Sequence, residues 1–198
     1  MIKAHLVLME ELKAYASPKA KLTRLLKSGQ LVQVRRGLFV DSAAVSRPCL
    51  APMIYGPSYL SFQYALSVYG LIPERAQSFT SASYHKNKNK VFHTPLGDFY
   101  YYYLPAGVYP YGILKKTEGD YSYLLASPEK ALCDSVYKIK NIGTLDEMEK
   151  LLLEDWRMEK GNLLKLDRGF IKKIAPLYHR NSLKLLSEWL RKKERKHA

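Results

Sequence analysis

The chain is poor in the residues that carry most enzyme chemistry. It has two cysteines, Cys49 and Cys133, without metal-ligand spacing, and five histidines (His5, His85, His93, His179, His197) that form no pair at ligating intervals. A zinc site is therefore not expected, and two isolated cysteines suit a reducing compartment with no disulfide required. No glycine-rich phosphate loop is present, nor a serine or cysteine nucleophile in a recognisable setting. No run approaches the length of a membrane span. Residues 4–9 are apolar, but Glu10 and Glu11 cut that run too short for a signal peptide. These absences predict a soluble, cytoplasmic protein with no cofactor, no metal, no membrane partner and no enzymatic activity. Acidic residues are also scarce. Against 32 Lys+Arg stand 18 Asp+Glu, giving a net charge of +14, which points to a polyanionic partner, most often nucleic acid. An apolar fraction of 47% excludes wholesale disorder.

The charge is uneven. Residues 1–47 hold nine cations and three anions, residues 48–143 nine and six, and residues 144–198 fourteen and nine, so the excess is densest in the opening segment. Within it, Ser17 to Val40 reads as a short basic helix, a glycine stop and a tight hairpin. Ser17 suits an N-cap, Pro18 the first helical position, and Gly29 the left-handed stop. Leu22, Leu25 and Leu26 make one apolar face, which leaves Ala20, Thr23, Arg24 and Lys27 on the opposite one. Leu31 to Val34 and Leu38 to Val40 read as paired strands with Arg35-Arg36-Gly37 at the turn. From Lys19 to Arg36 there are six cations and no carboxylate. A helix face of small, hydroxyl and cationic residues is what the major groove accepts. The arrangement is that of a recognition helix followed by a wing, and the candidate DNA-binding residues are Lys19, Lys21, Thr23, Arg24, Lys27, Gln33, Arg35 and Arg36. The alternative is an amphipathic helix with a solvated lysine face.

The rest of the chain reads coarsely. Residues 2–16 are predicted helical, with Leu6, Met9 and Leu12 on a partial apolar face against the leucines of the next helix. Only two helices then precede the hairpin, where a full winged helix has three. Asp41 to Pro52, with Ser42, Ser46, Pro48 and Pro52, reads as a linker or a crossing segment. Gly56-Pro57-Ser58 is predicted to start a helix that stops at Gly70. From Phe79 to Leu125 the pattern is strand-like: Phe79–Tyr84, Val91–His93, Asp98–Leu104, Tyr109–Leu114 and Tyr121–Leu125, separated by turns. Ser127-Pro128-Glu129 opens a helix towards Gly143. Thr144–Trp156 and Leu163–Leu177 are predicted helical around a loop at Lys160-Gly161-Asn162, and a last helix from Ser182 ends in a basic tail from Arg191 to Lys196. The expected fold is α+β: a small winged-helix-like module over residues 1–45, then a mainly antiparallel sheet with flanking helices and a helical C-terminus over residues 46–198.

Three segments, taken in order, resemble the AbiEi-type antitoxins of bacterial toxin–antitoxin systems. They are Leu25–Phe39, with its glycine and basic hairpin; Pro57-Ser58-Tyr59-Leu60-Ser61 through Ala65-Leu66 to Tyr69-Gly70-Leu71; and Ser127-Pro128-Glu129-Lys130-Ala131-Leu132-Cys133-Asp134. The resemblance implies a winged helix that binds duplex DNA at the promoter of its own operon. It also implies a C-terminal domain that neutralises a co-expressed nucleotidyltransferase-like toxin.

Two other classes remain open. Asp98, Glu118 and Asp120 near Lys115 and Lys116 are the residues a metal-dependent nuclease would use. Sixteen tyrosines, four of them at Tyr100 to Tyr103, suit either a protein interface or base stacking on a single strand. Strand alternation sends Tyr100 and Tyr102 to one face and Tyr101 and Tyr103 to the other. Tyr101 and Tyr103 are the candidate toxin contacts.

Overall fold

A computed structural model describes residues 1–41 and 45–195. Ser42 of the linker segment, and Lys196 and His197 of the tail, lie outside the described residues. The chain opens with β1 (Ile2–Ala4), α1 (His5–Glu11), α2 (Pro18–Lys27), β2 (Val32–Arg35) and β3 (Leu38–Val40). Residues 2–4 are not the helix that their apolar spacing suggests. They pair antiparallel with β3, in the register Ile2↔Val40, Lys3↔Phe39 and Ala4↔Leu38, and complete a three-stranded sheet in the order β1-β3-β2. Long-range pairing overrides local periodicity here. The helix that follows is short, and turns Leu8 and Leu12 inward while Leu6 stands 82% exposed. Pro18 is the first residue of α2 and Ser17 occupies the N-cap position without a side-chain capping bond.

The two faces of this small sheet belong to different cores. Phe39 joins Leu8, Leu12 and Leu31 in a cluster that Leu22, Leu25 and Leu26 of α2 cover. Val34, Leu38 and Val40 point the other way, into the main hydrophobic core of the protein.

After a 3-10 turn (Arg47–Leu50) come α3 (Ala51–Ile54), β4 (Ser58–Leu60), α4 (Phe62–Val68), β5 (Phe79–Ser83), β6 (Lys90–Thr94), β7 (Gly97–Tyr103), β8 (Ile113–Glu118) and β9 (Tyr121–Ala126). The six strands β4 to β9 form one sheet in the order β6-β7-β5-β4-β9-β8. It is mixed: β4–β5, β6–β7 and β8–β9 are antiparallel, whereas β4–β9 and β5–β7 are parallel. Ser58 to Leu60, expected to begin a helix, is instead a buried central strand, and the helix starts at Phe62. The strand expected from Tyr109 begins only at Ile113.

The C-terminal part is helical: α5 (Pro128–Lys138), α6 (Leu145–Lys150) running into a π-helical turn (Leu151–Asp155), α7 (Lys160–Leu164), α8 (Arg168–Ile174) and α9 (Asn181–Arg195). Lys160-Gly161-Asn162 begins α7 rather than forming a loop. Ser127 caps α5 by accepting from the Lys130 N–H, and Thr144 with Glu147 makes a reciprocal capping box for α6.

The large sheet is sandwiched. Tyr101 donates its hydroxyl to the Ala51 carbonyl at 2.7 Å, which sets α3 on one face. On the other face Tyr59 donates to Asp134 of α5 at 3.0 Å. Asp134 is buried and satisfied from several sides: Ser61 Oγ at 2.7 Å, Tyr178 OH at 2.5 Å and the ammonium of buried Lys130 at 2.7 Å. This network ties sheet, α5 and the 3-10 turn before α9 into one interior. Lys130, Ala131, Leu132, Cys133 and Asp134 are therefore core residues.

Candidate nucleic-acid interface

α2 keeps its leucines against the small cluster, so the 100° geometry leaves Lys19, Ala20, Thr23, Arg24 and Lys27 exposed. The Thr23 hydroxyl donates back to the Lys19 carbonyl at 3.0 Å. Lys21 lies on the flank, half-buried, with its ammonium 4.7 Å from the centre of the Tyr15 ring. α2 ends at Gly29, which adopts φ +72°.

The hairpin presents Gln33, Arg35 and Arg36 to solvent. Its register shifts by one residue between Gln33 and Arg35, a bulge that inserts Val34 and buries it. Strand alternation keeps Gln33 and Arg35 outward on either side of the inward valine. Gly37, at φ +81°, closes the turn in a conformation that a side chain disfavours, and its carbonyl accepts from the His5 N–H at 2.9 Å. That bond ties the start of α1 to the hairpin tip. Between α2 and the hairpin runs a groove of about 500 Å³, lined by His5, Leu22, Leu26, Gln33, Arg36 and Phe39 among others.

Charge is distributed to match. The three carboxylates of residues 1–41 are all engaged by neighbours: Glu11 by Lys3 at 2.6 Å, Glu10 by Lys13, and Asp41 by the N-terminal ammonium. The hydrogen bond from that ammonium holds the Asp41 carboxyl below its ordinary pKa. Among the described residues no carboxylate pairs with Lys19, Lys21, Arg24, Lys27, Arg35 or Arg36. The structure thus brings the sequence-predicted cations onto α2 and the adjoining hairpin. His5 belongs to the same groove but was hidden by the expectation of a continuous helix over residues 2–16. Only the pairing of β1 with β3 brings it there.

The tyrosine candidates separate. Tyr101 is fully buried, its hydroxyl satisfied by Ala51 and its pKa pushed up by burial, so it is a core residue and no partner contact. Tyr103, at the end of β7, is 43% exposed. The other face of the strand carries Tyr100 and Tyr102, half-buried, with rings stacked at 6.4 Å.

The acids considered for a nuclease do not converge. Asp98 on β7 and Glu118 on β8 are separated by β5, β4 and β9, roughly 19 Å at ordinary strand spacing. Asp98 pairs with His93 at 2.8 Å, and Glu118 accepts from Ser46 at 2.8 Å and Tyr123 at 2.7 Å. Asp120 sits in the turn between β8 and β9. No group of three or more His, Cys, Asp or Glu among the described residues is arranged to hold a metal ion, and no helix among them is long and apolar enough to cross a membrane. Neither a scan against protein-family models nor a search of curated proteins finds a match to this chain.

Proposed function

We propose that the protein binds duplex DNA through α2 and the β2–β3 hairpin, and acts as a transcriptional autoregulator and antitoxin. The observation that carries the DNA-binding part is the set of six cations on α2 and the hairpin with no carboxylate partner among the described residues, in a segment whose three acids are all engaged elsewhere. Supporting it is the element order strand–helix–helix–strand–turn–strand with sheet order β1-β3-β2, which suits a winged helix lacking its first helix. α2 would enter the major groove with Arg24 and Thr23 towards base edges, while Arg35 and Arg36 reach phosphates beside it.

The antitoxin part rests on the resemblance of three segments to AbiEi-type proteins. The third segment is interior in this fold, so contact with a nucleotidyltransferase-like toxin falls to surface residues outside it, with Tyr103 a candidate.

The experiment is titration of the purified protein with duplex DNA from its own promoter region at several salt concentrations. Four to six phosphate contacts give a log–log slope of roughly −4 to −5. Arg35→Ala with Arg36→Ala should lower affinity and flatten that slope by about one to two units. A salt-insensitive isotherm, or no binding, overturns the proposal. Growth rescue of cells expressing a neighbouring toxin gene, by the intact chain and by the double arginine variant, tests the antitoxin part separately.

A further inference from the structure

A second cationic recess lies far along the chain from the hairpin. α8 and α9 leave between them a groove of about 520 Å³ lined by Arg168, Gly169, Lys172, Ser187, Glu188 and Arg191. Arg168 and Lys172 are one turn apart on α8, and Arg191 lies across the groove on α9. Gly169 and Ser187 have little bulk, which opens the space. Ser187 donates its hydroxyl to the Leu183 carbonyl at 3.1 Å, so it contributes room rather than a donor.

Among the described residues the wall carries one carboxylate, Glu188, and Lys192 engages it at 3.1 Å. Asp167, next to the groove, caps α8 by accepting from the Phe170 N–H at 2.9 Å. Lys172 and Arg191 therefore face each other across a recess whose described acid is already engaged by Lys192. The lining contains no aromatic or large aliphatic anchor. A protein interface centres on such anchors. A phosphate site needs long cations around an open space, with guanidinium forks matched to phosphate oxygens.

We propose that this α8–α9 groove binds phosphate groups of a nucleic-acid strand, separately from the α2–hairpin surface. Lys172 and Arg191 supply the contacts at issue, one from each side.

The test uses the full chain and the double variant Lys172→Ala with Arg191→Ala, both side chains being exposed. The first measurement is the melting temperature with increasing sodium pyrophosphate. The wild type should be stabilised and the variant should not. The second is affinity for a duplex of arbitrary sequence against salt, where loss of two phosphate contacts should flatten the log–log slope by about 1.8. That loss should add to the loss caused by Arg35→Ala with Arg36→Ala, which separates this groove from the hairpin. A variant that keeps both the pyrophosphate stabilisation and the slope overturns the proposal. Loss of the pyrophosphate effect with an unchanged DNA slope overturns the nucleic-acid source and assigns the groove to small phosphate compounds. Equal stabilisation by poly-glutamate of matched charge overturns the phosphate assignment in favour of an acidic peptide.

Discussion

Lys138 ends α5 with its ammonium 2.7 Å from the centre of the Tyr102 ring and 5.1 Å from that of Phe62. Desolvation there lowers its pKa to about 8. In the unfolded chain the same lysine titrates near its ordinary value, so between those two points the unfolded state binds the extra proton. Stability should therefore rise as pH increases from about 8 towards 10, and Lys138→Met should remove that rise. Urea midpoints measured at intervals over this range check it; a flat wild-type profile contradicts the assignment. At this scale much was legible. Helical geometry alone placed Thr23, Arg24 and Lys27 outward, because three leucines left them no other direction. The tyrosine run was half legible: alternation separated Tyr101 from Tyr102, but which face met α3 depended on a helix fifty residues upstream, which no local pattern encodes.

The element most exposed to disruption is the pair α1–α2. Neither helix fills its own core, and both lean on Leu8, Leu12, Leu31 and Phe39. Leu8→Ala should cost roughly 2–5 kcal/mol locally. Hydrogen exchange should show α1 and α2 amides losing protection while α5, which packs in the main core, keeps its own. Uniform loss across both would mean that the small cluster has no separate stability. Helices with clear caps, such as α5 from Ser127 and α6 from Thr144, were readable from their first residues. The short strands were not. Ile2–Ala4 and Ser58–Leu60 have three residues each and owe their conformation to partners 21 to 38 residues away, Val40 for Ile2 and Ser83 to Ser81 for the second strand, which also meets Leu125 of β9. Ser58 after Gly56-Pro57 looks like a helix start because the same residues open helices and end turns.

For the molecule as a whole, the boundary near residue 45 is readable in composition but not in packing. Val34, Leu38 and Val40 lie in the main core, so a chain cut to residues 48–198 should uncover that apolar surface. Such a fragment should melt at a lower temperature than the intact protein and aggregate more readily, as calorimetry and light scattering would show; an equally stable, monodisperse fragment would refute this. Separation of the proposed DNA binding from the proposed antitoxin activity is then better made by the arginine substitutions than by truncation. The small sheet, apolar on both faces, acts as a party wall. Because β3 is gripped from either side, α2 does not swing on a tether but is held at one angle to the rest of the protein. If a duplex docks there as proposed, it would meet a stencil already cut, with no loss of freedom from aligning two loose bodies, and the spacing of phosphates it could satisfy would be set before it arrives.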